Sequence, residues 1–109
     1  MHEMSITQSV VDAVCEHAGD RTVHSVQVQI GVLCAVVPDA MQFCFELATQ
    51  GTVMEGARLD IEQPPGAAHC HECGADFEVT DFIVLCRCGS ADVTVMSGRE
   101  LRIMSMEVS

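Results

Sequence analysis

An α+β fold, with two helices packed on a three-stranded sheet and a four-cysteine module inserted into it, is what this 109-residue sequence predicts. Three observations carry the prediction. Two stretches repeat their apolar residues at helical spacing, two others alternate apolar with polar residues, and the chain closes on an apolar-rich stretch. Between the last two expected strands lies Cys70-X2-Cys73-X12-Cys86-X-Cys88, a motif of the zinc-ribbon kind.

The first helix covers residues 3–18, where Met4, Val11, Val14, Cys15 and Ala18 recur on one face with Val10 and Ala13 alongside. Ser5 and Gln8 offer a capping box at its start and Gly19 a stop. Val26, Val28, Ile30 and Val32 then alternate with Gln27, Gln29 and Gly31, which predicts a half-buried strand. Pro38-Asp39 suits a first helical turn, and Ala40, Met41, Cys44, Leu47 and Ala48 form a second apolar stripe ending near Gly51. Leu59 and Ile61 alternate with Asp60 and Glu62 up to Pro64-Pro65-Gly66, and an apolar-rich final strand begins at Leu101. Residues 1–66 plus 97–109 are thus assigned to the α+β domain, and 67–96 to the module.

The cysteine module has a specific chemistry. Paired thiolates on two tight turns can close a tetrahedral shell on one metal with bonds of about 2.3 Å, and such a closed shell leaves no position for water or substrate. Each pair is followed by glycine, Gly74 and Gly89, which relaxes the backbone where such a turn takes positive φ. The second pair is one residue shorter than the first, so its turn must be tighter. Phe77, Val79, Phe82, Val84 and Leu85 are expected to pack a miniature core, with the metal supplying much of the folding free energy of so small a module. All-sulfur ligation suits structural Zn(II) or a rubredoxin-like iron, and His69 and His71 flank the first pair closely enough to replace one sulfur.

Composition narrows the function. Sixteen acidic residues oppose five arginines, with no lysine and a formal net charge of −11. That balance repels phosphate backbones, whose binding relies on Lys and Arg, and suits a cation-handling protein or one that docks on a basic surface. Seven cysteines without a signal-like or membrane-spanning stretch point to the reducing cytoplasm, where spaced cysteines hold metal more often than disulfides. Cys15, Cys34 and Cys44 lie in apolar-patterned stretches and read as small core residues. His17 and His24 are assigned no role, and no catalytic set or phosphate loop presents itself, so no enzyme activity is expected.

A second metal site is legible at the N-terminus. The amine of Met1, the deprotonated amide of His2 and its imidazole can chelate one ion through adjacent five- and six-membered rings, with a fourth donor from the amide or carboxylate of Glu3. A nitrogen-rich set of this kind favours Ni(II) or Cu(II).

Met1-His2-Glu3-Met4-Ser5, Pro38-Asp39-Ala40-Met41-Gln42-Phe43-Cys44-Phe45, the paired-cysteine module ending Cys88-Gly89-Ser90, and Ser97-Gly98-Arg99-Glu100-Leu101-Arg102-Ile103 occur in the order that resembles the HypA/HybF family of nickel metallochaperones for [NiFe]-hydrogenase maturation. The family's second cysteine pair usually reads Cys-X-X-Cys, which this chain shortens. The resemblance implies a nickel site at His2 and Glu3 in the α+β domain, using the Met1 amine and backbone amides. It also implies structural zinc on Cys70, Cys73, Cys86 and Cys88. Nickel is then transient cargo, and the implied partners are a HypB-like GTPase and the hydrogenase large-subunit precursor, without nucleic acid or membrane, for a monomer or homodimer. A zinc-ribbon protein–protein adaptor without exchangeable nickel is the alternative.

Overall fold

The computed structural model describes residues 2–109. In chain order it contains α1 (His2–Ala18), β1 (Val23–Ile30), a 3₁₀ turn (Val32–Cys34), α2 (Pro38–Thr49), β2 (Arg58–Glu62), β3 (Gly66–Cys70), β4 (Asp76–Val79), β5 (Val93–Ser97) and β6 (Leu101–Val108). The strands form two three-stranded sheets, β2-β1-β6 and β4-β3-β5. The α+β class, the two helices and the first sheet follow the sequence; the second sheet, built from the cysteine module, is an addition to it.

Two compact units result. One gathers the N-terminal stretch through Val28 with Val36–Ile61 and Arg102–Ser109; the other gathers Gln29–Ala35 with Glu62–Leu101.

In the first unit Val10, Val11 and Val14 of α1, Val26 and Val28 of β1, and Met41 and Phe45 of α2 are buried together with Met54 and Leu59. Helix α1 begins at His2, so the expected capping box lies inside it. Ser5 Oγ donates to the His2 carbonyl at 3.1 Å and Gln8 Nε2 to Asp12 Oδ1 at 2.8 Å, which are bonds of a helix interior. The stop at Gly19 is as expected, with φ +65° and its N–H on the Cys15 carbonyl at 3.1 Å. The buried face of α2 is Met41, Phe45 and Thr49, whereas Leu47 is exposed. Pure apolarity misplaces that face because Thr49 is inside, as Thr7 is on α1. Each hydroxyl donates to the carbonyl four residues earlier, at 2.8 and 2.6 Å, and so enters the core already satisfied.

Strand β1 ends at Ile30, and the expected strand residue Val32 opens the 3₁₀ turn instead. The cause is close backbone packing in the second unit. Gly31 donates to the Glu100 carbonyl at 2.8 Å, and a Cβ there would lie 2.2 Å from the Gly98 carbonyl oxygen.

The second unit centres on β3, antiparallel to β4 (Gly66↔Val79 to His69↔Asp76) and to β5 (Cys70↔Val93), with a bulge between Ala67 and Ala68. Around this sheet the buried residues are small, namely Ala68, Cys70, Val79 and Cys86. The expected miniature core of aromatic and leucine side chains is not formed, since Phe82 is 70% and Leu85 52% exposed. A sheet of four- and five-residue strands is too small to cover them.

Candidate metal centre

The loop after β3 and the loop before β5 bring Cys70, Cys73, Cys86 and Cys88 together, all four Sγ atoms lying within 4.8 Å of one another. Cys70 and Cys88 are 3.7 Å apart and Cys73 and Cys86 3.5 Å, and all are free thiols. A regular tetrahedron with metal–sulfur bonds of about 2.3 Å has sulfur–sulfur edges of about 3.8 Å, so the donor set fits zinc or another ion of that size. Each pair contributes one buried cysteine, Cys70 and Cys86, and one exposed, Cys73 and Cys88.

The two turns differ by the one residue that separates their spacings. After Cys70 the N–H of Gly74 returns to the Cys70 carbonyl at 3.1 Å, a five-residue turn; after Cys86 the N–H of Gly89 returns to the Cys86 carbonyl at 2.9 Å, a four-residue turn. The flanking bonds shorten in step, Cys70 N–H to the Ala75 carbonyl and Cys86 N–H to the Ser90 carbonyl. Gly74 and Gly89 take φ +78° and +93°, as the turns require. The shorter spacing is absorbed inside the turn, and both sulfurs still reach the cluster.

Electrostatics mark the cluster as built for a cation. Cys70 is pulled down to about 6, chiefly by the Cys73 amide N–H and then by that of Glu72 and the thiols of Cys88 and Cys73, against the opposing effect of burial. Cys88 receives the Ser90 amide, but burial and the thiols of Cys86, Cys70 and Cys73 outweigh it and push it up to about 12. Cys73 is raised in the same way: the neighbouring thiols of Cys86 and Cys70, with burial, overcome the Ala75 amide. The Cys70 thiolate forms readily, whereas Cys73 and Cys88 resist ionisation. A divalent cation removes that resistance by deprotonating its sulfur ligands.

His69 and His71 are not members of this group. His69 Nδ1 meets Asp76 Oδ1 at 2.6 Å, directly across the β3–β4 ladder, and His71 Nε2 meets Thr94 Oγ1 at 2.6 Å on the β5 side. These cross-strand pairs carry no signal in the sequence, because they depend on a register that only the folded sheet defines.

At the other candidate site, Met1 and its amine lie outside the described residues. His2 opens α1 with its side chain 49% exposed, and Nε2 lies 3.5 Å from Glu3 Oε2. The Glu3 side chain is only 13% exposed, and Oε2 accepts from the Val37 N–H at 3.1 Å. That amide, then Glu3's own, holds the carboxyl below the usual glutamate range, with His2 adding to the effect. Of the unassigned histidines, His17 stands in the last turn of α1, and His24 is exposed near the start of β1, where its ring meets the Ser109 hydroxyl. Among the described residues no helix is long and apolar enough to cross a membrane.

Comparison with known proteins agrees with this geometry along the whole chain. The family model described as "Hydrogenase/urease nickel incorporation, metallochaperone, hypA" matches residues 1–108. The chain is 50% identical over 109 residues to a hydrogenase maturation factor HypA of Geobacter metallireducens, covering 99% of each. It is 44% identical over 108 residues to that of Nostoc punctiforme, covering 99% of this chain and 96% of the relative. Among solved structures it resembles the Ni metallochaperone HypA from Helicobacter pylori with TM-score 0.66 and 25% identity, over 97% of this chain and 96% of that one. A second HypA solution structure matches with TM-score 0.68 and 28% identity, over 100% and 97% of the two chains. A four-sulfur cluster on an α+β scaffold, an N-terminal His-Glu at the first turn of α1 and a match from end to end lead to one conclusion: this chain belongs to the HypA family of hydrogenase/urease nickel-incorporation metallochaperones.

Proposed function

We propose that this protein is a cytoplasmic, non-enzymatic nickel metallochaperone. It would bind Ni(II) reversibly at its N-terminus, hold structural zinc on Cys70, Cys73, Cys86 and Cys88, and deliver nickel for [NiFe]-hydrogenase maturation. The observation that carries the reading is the position of His2 and Glu3 in the first turn of α1. An α-helix gives its first four amide N–H groups no carbonyl four residues back, so the helix itself makes no demand on the His2 and Glu3 nitrogens. Deprotonating the His2 amide to bind nickel breaks no bond to a carbonyl four residues back, and the resulting negative charge sits at the positive end of the helix dipole. With the Glu3 carboxylate engaged at Val37, the donors left for nickel are nitrogens: the terminal amine, backbone amide and the His2 imidazole. Nitrogen-rich sets favour Ni(II).

The zinc shell has the separate task of holding the second unit together, and its closed sulfur set leaves nickel exchange to the exposed terminus. The partners that fit are a HypB-like GTPase that exchanges nickel and the hydrogenase large-subunit precursor that receives it. The acidic surface speaks against nucleic acid as a partner.

Calorimetric nickel titration of tag-free, zinc-loaded protein tests the reading beside a version with one residue added before Met1. Near-stoichiometric binding that the extra residue abolishes, and that His2→Ala abolishes without loss of helix or zinc, is the expected result. Equal nickel binding by all versions, or by none, rejects the N-terminal site and favours a zinc-ribbon adaptor without exchangeable nickel.

A further inference from the structure

The sheet of the first unit has two edges, and they differ. Strand β2 presents alternating charge, with Arg58 Nε paired to Asp60 Oδ2 at 3.1 Å. Strand β6 is eight residues long and reads Leu-Arg-Ile-Met-Ser-Met-Glu-Val, with Ile103 40% and Met104 50% exposed. It contains neither lysine nor proline, and its two charged residues, Arg102 and Glu107, each stand second from an end, leaving Ile-Met-Ser-Met uncharged between them. Natural edge strands are commonly blunted by charge or proline, and a long apolar stretch of edge is a template for another strand.

An open cleft of about 340 Å³ runs beside this edge, walled by Ala13, Val14 and His17 of α1 and by Ile103, Ser105 and Met106 of β6. Strand addition draws affinity from main-chain bonds at a free edge and specificity from sockets for alternate side chains, and here edge and socket adjoin. The helical row next to Ala13 and His17 carries Asp12 and Glu16, both exposed. Across the first unit nine carboxylates oppose three arginines, Arg21, Arg58 and Arg102. A second copy of the chain would bring the same excess of negative charge; a cationic segment would be attracted and oriented by it.

We infer that β6 accepts an added strand from a basic segment of a partner protein. One apolar side chain of that segment fills the cleft between α1 and β6, and its lysines or arginines face Asp12 and Glu16. The inference stands apart from the nickel site and does not depend on it.

The test titrates zinc-loaded, full-length, ¹⁵N-labelled protein with an eight-residue peptide alternating lysine with valine and isoleucine, and with a matched peptide carrying glutamate for lysine. Amide shifts confined to β6 and residues 12–17 are expected with the lysine peptide, and at least tenfold weaker binding with the glutamate peptide. Ala13→Phe, which fills the cleft from an exposed helix position, and the double variant Asp12→Lys/Glu16→Lys should each weaken the lysine peptide at least tenfold. Shifts centred elsewhere, none up to 1 mM peptide, or unchanged affinity in both variants would overturn the inference. Shifts in β6 that appear on raising protein concentration without peptide would overturn it too, by assigning the edge to a second copy.

Discussion

Glu3 ties the first turn of α1 to the opening of α2, because its carboxylate accepts the N–H of Val37, the N-cap residue of that helix. Val37 has no capping side chain of its own, so a carboxylate from another element neutralises part of the α2 terminus. The Val37 amide is also the largest cause of the lowered Glu3 pKa. A depressed carboxyl stabilises the fold above its ordinary titration range, and the contribution is lost as pH falls through the depressed value. The Val37 amide resonance should therefore shift with a midpoint below that of an ordinary glutamate, and Glu3→Gln should abolish the shift while leaving α1 helical. A midpoint at the ordinary value, or a shift that persists in the variant, would count against the tie. Phe82 and Val79 make the opposite contrast within the cysteine module. At 70% exposure Phe82→Ser should change stability by less than about 0.5 kcal/mol. Val79, 2% exposed, should cost about 2 kcal/mol as alanine. Chemical denaturation of the zinc-loaded variants measures both.

At the scale of elements, the second unit depends on glycines in two different ways. Gly74 and Gly89 supply positive φ in open space, whereas Gly66 begins β3 where a Cβ would lie 2.3 Å from the Ser97 carbonyl oxygen. Gly66→Ala must displace backbone and should cost about 2–3 kcal/mol in thermal or chemical unfolding, well above the cost of alanine at an unobstructed strand position. A loss below about 0.5 kcal/mol would mean that the close approach is not rigid. The cysteine turns were legible in the sequence because spacing and glycine encode local geometry, α1, α2, β1 and β2 were legible through their period, and β6 through its apolar richness. What sequence could not supply were non-local facts. Strands β3, β4 and β5 pair through a register that only the folded sheet defines, and Gly31, Gly66 and Gly98 meet only after folding. Thr7 and Thr49 carry no apolar signal, and they enter the core because each hydroxyl donates to a carbonyl of its own helix. The first turn of α1 hid its engagement with Val37 for the same reason: 34 residues separate the partners.

Across the whole molecule, the two units draw their stability from different sources. The first holds both helices and most of the buried apolar side chains, including Val10 and Val14 on α1 and Met41 and Phe45 on α2. The second has strands of four and five residues, inward residues as small as Ala68, and the four-sulfur cluster. Its apolar burial is slight against the ordering of its 47 residues, so a bound metal would contribute much of its folding free energy. Removing the metal should therefore divide the molecule's response. With a strong chelator at neutral pH and reductant present, amide protection in β3, β4 and β5 should collapse, while the helical circular dichroism at 222 nm, which comes from α1 and α2, should stay within about a tenth of its starting value. Cys73→Ala should reproduce the chelated state without chelator. Acid should act in the same direction, because protons compete with metal for the sulfurs, and Cys88, pushed up to about 12, is the thiol that most needs the cation to stay ionised. Loss of helix in parallel with loss of metal would show that the two units fold as one cooperative body. Retained protection of β3 in Cys73→Ala would show that the small apolar core suffices on its own, and the zinc would then be a passenger of the fold instead of its fastener.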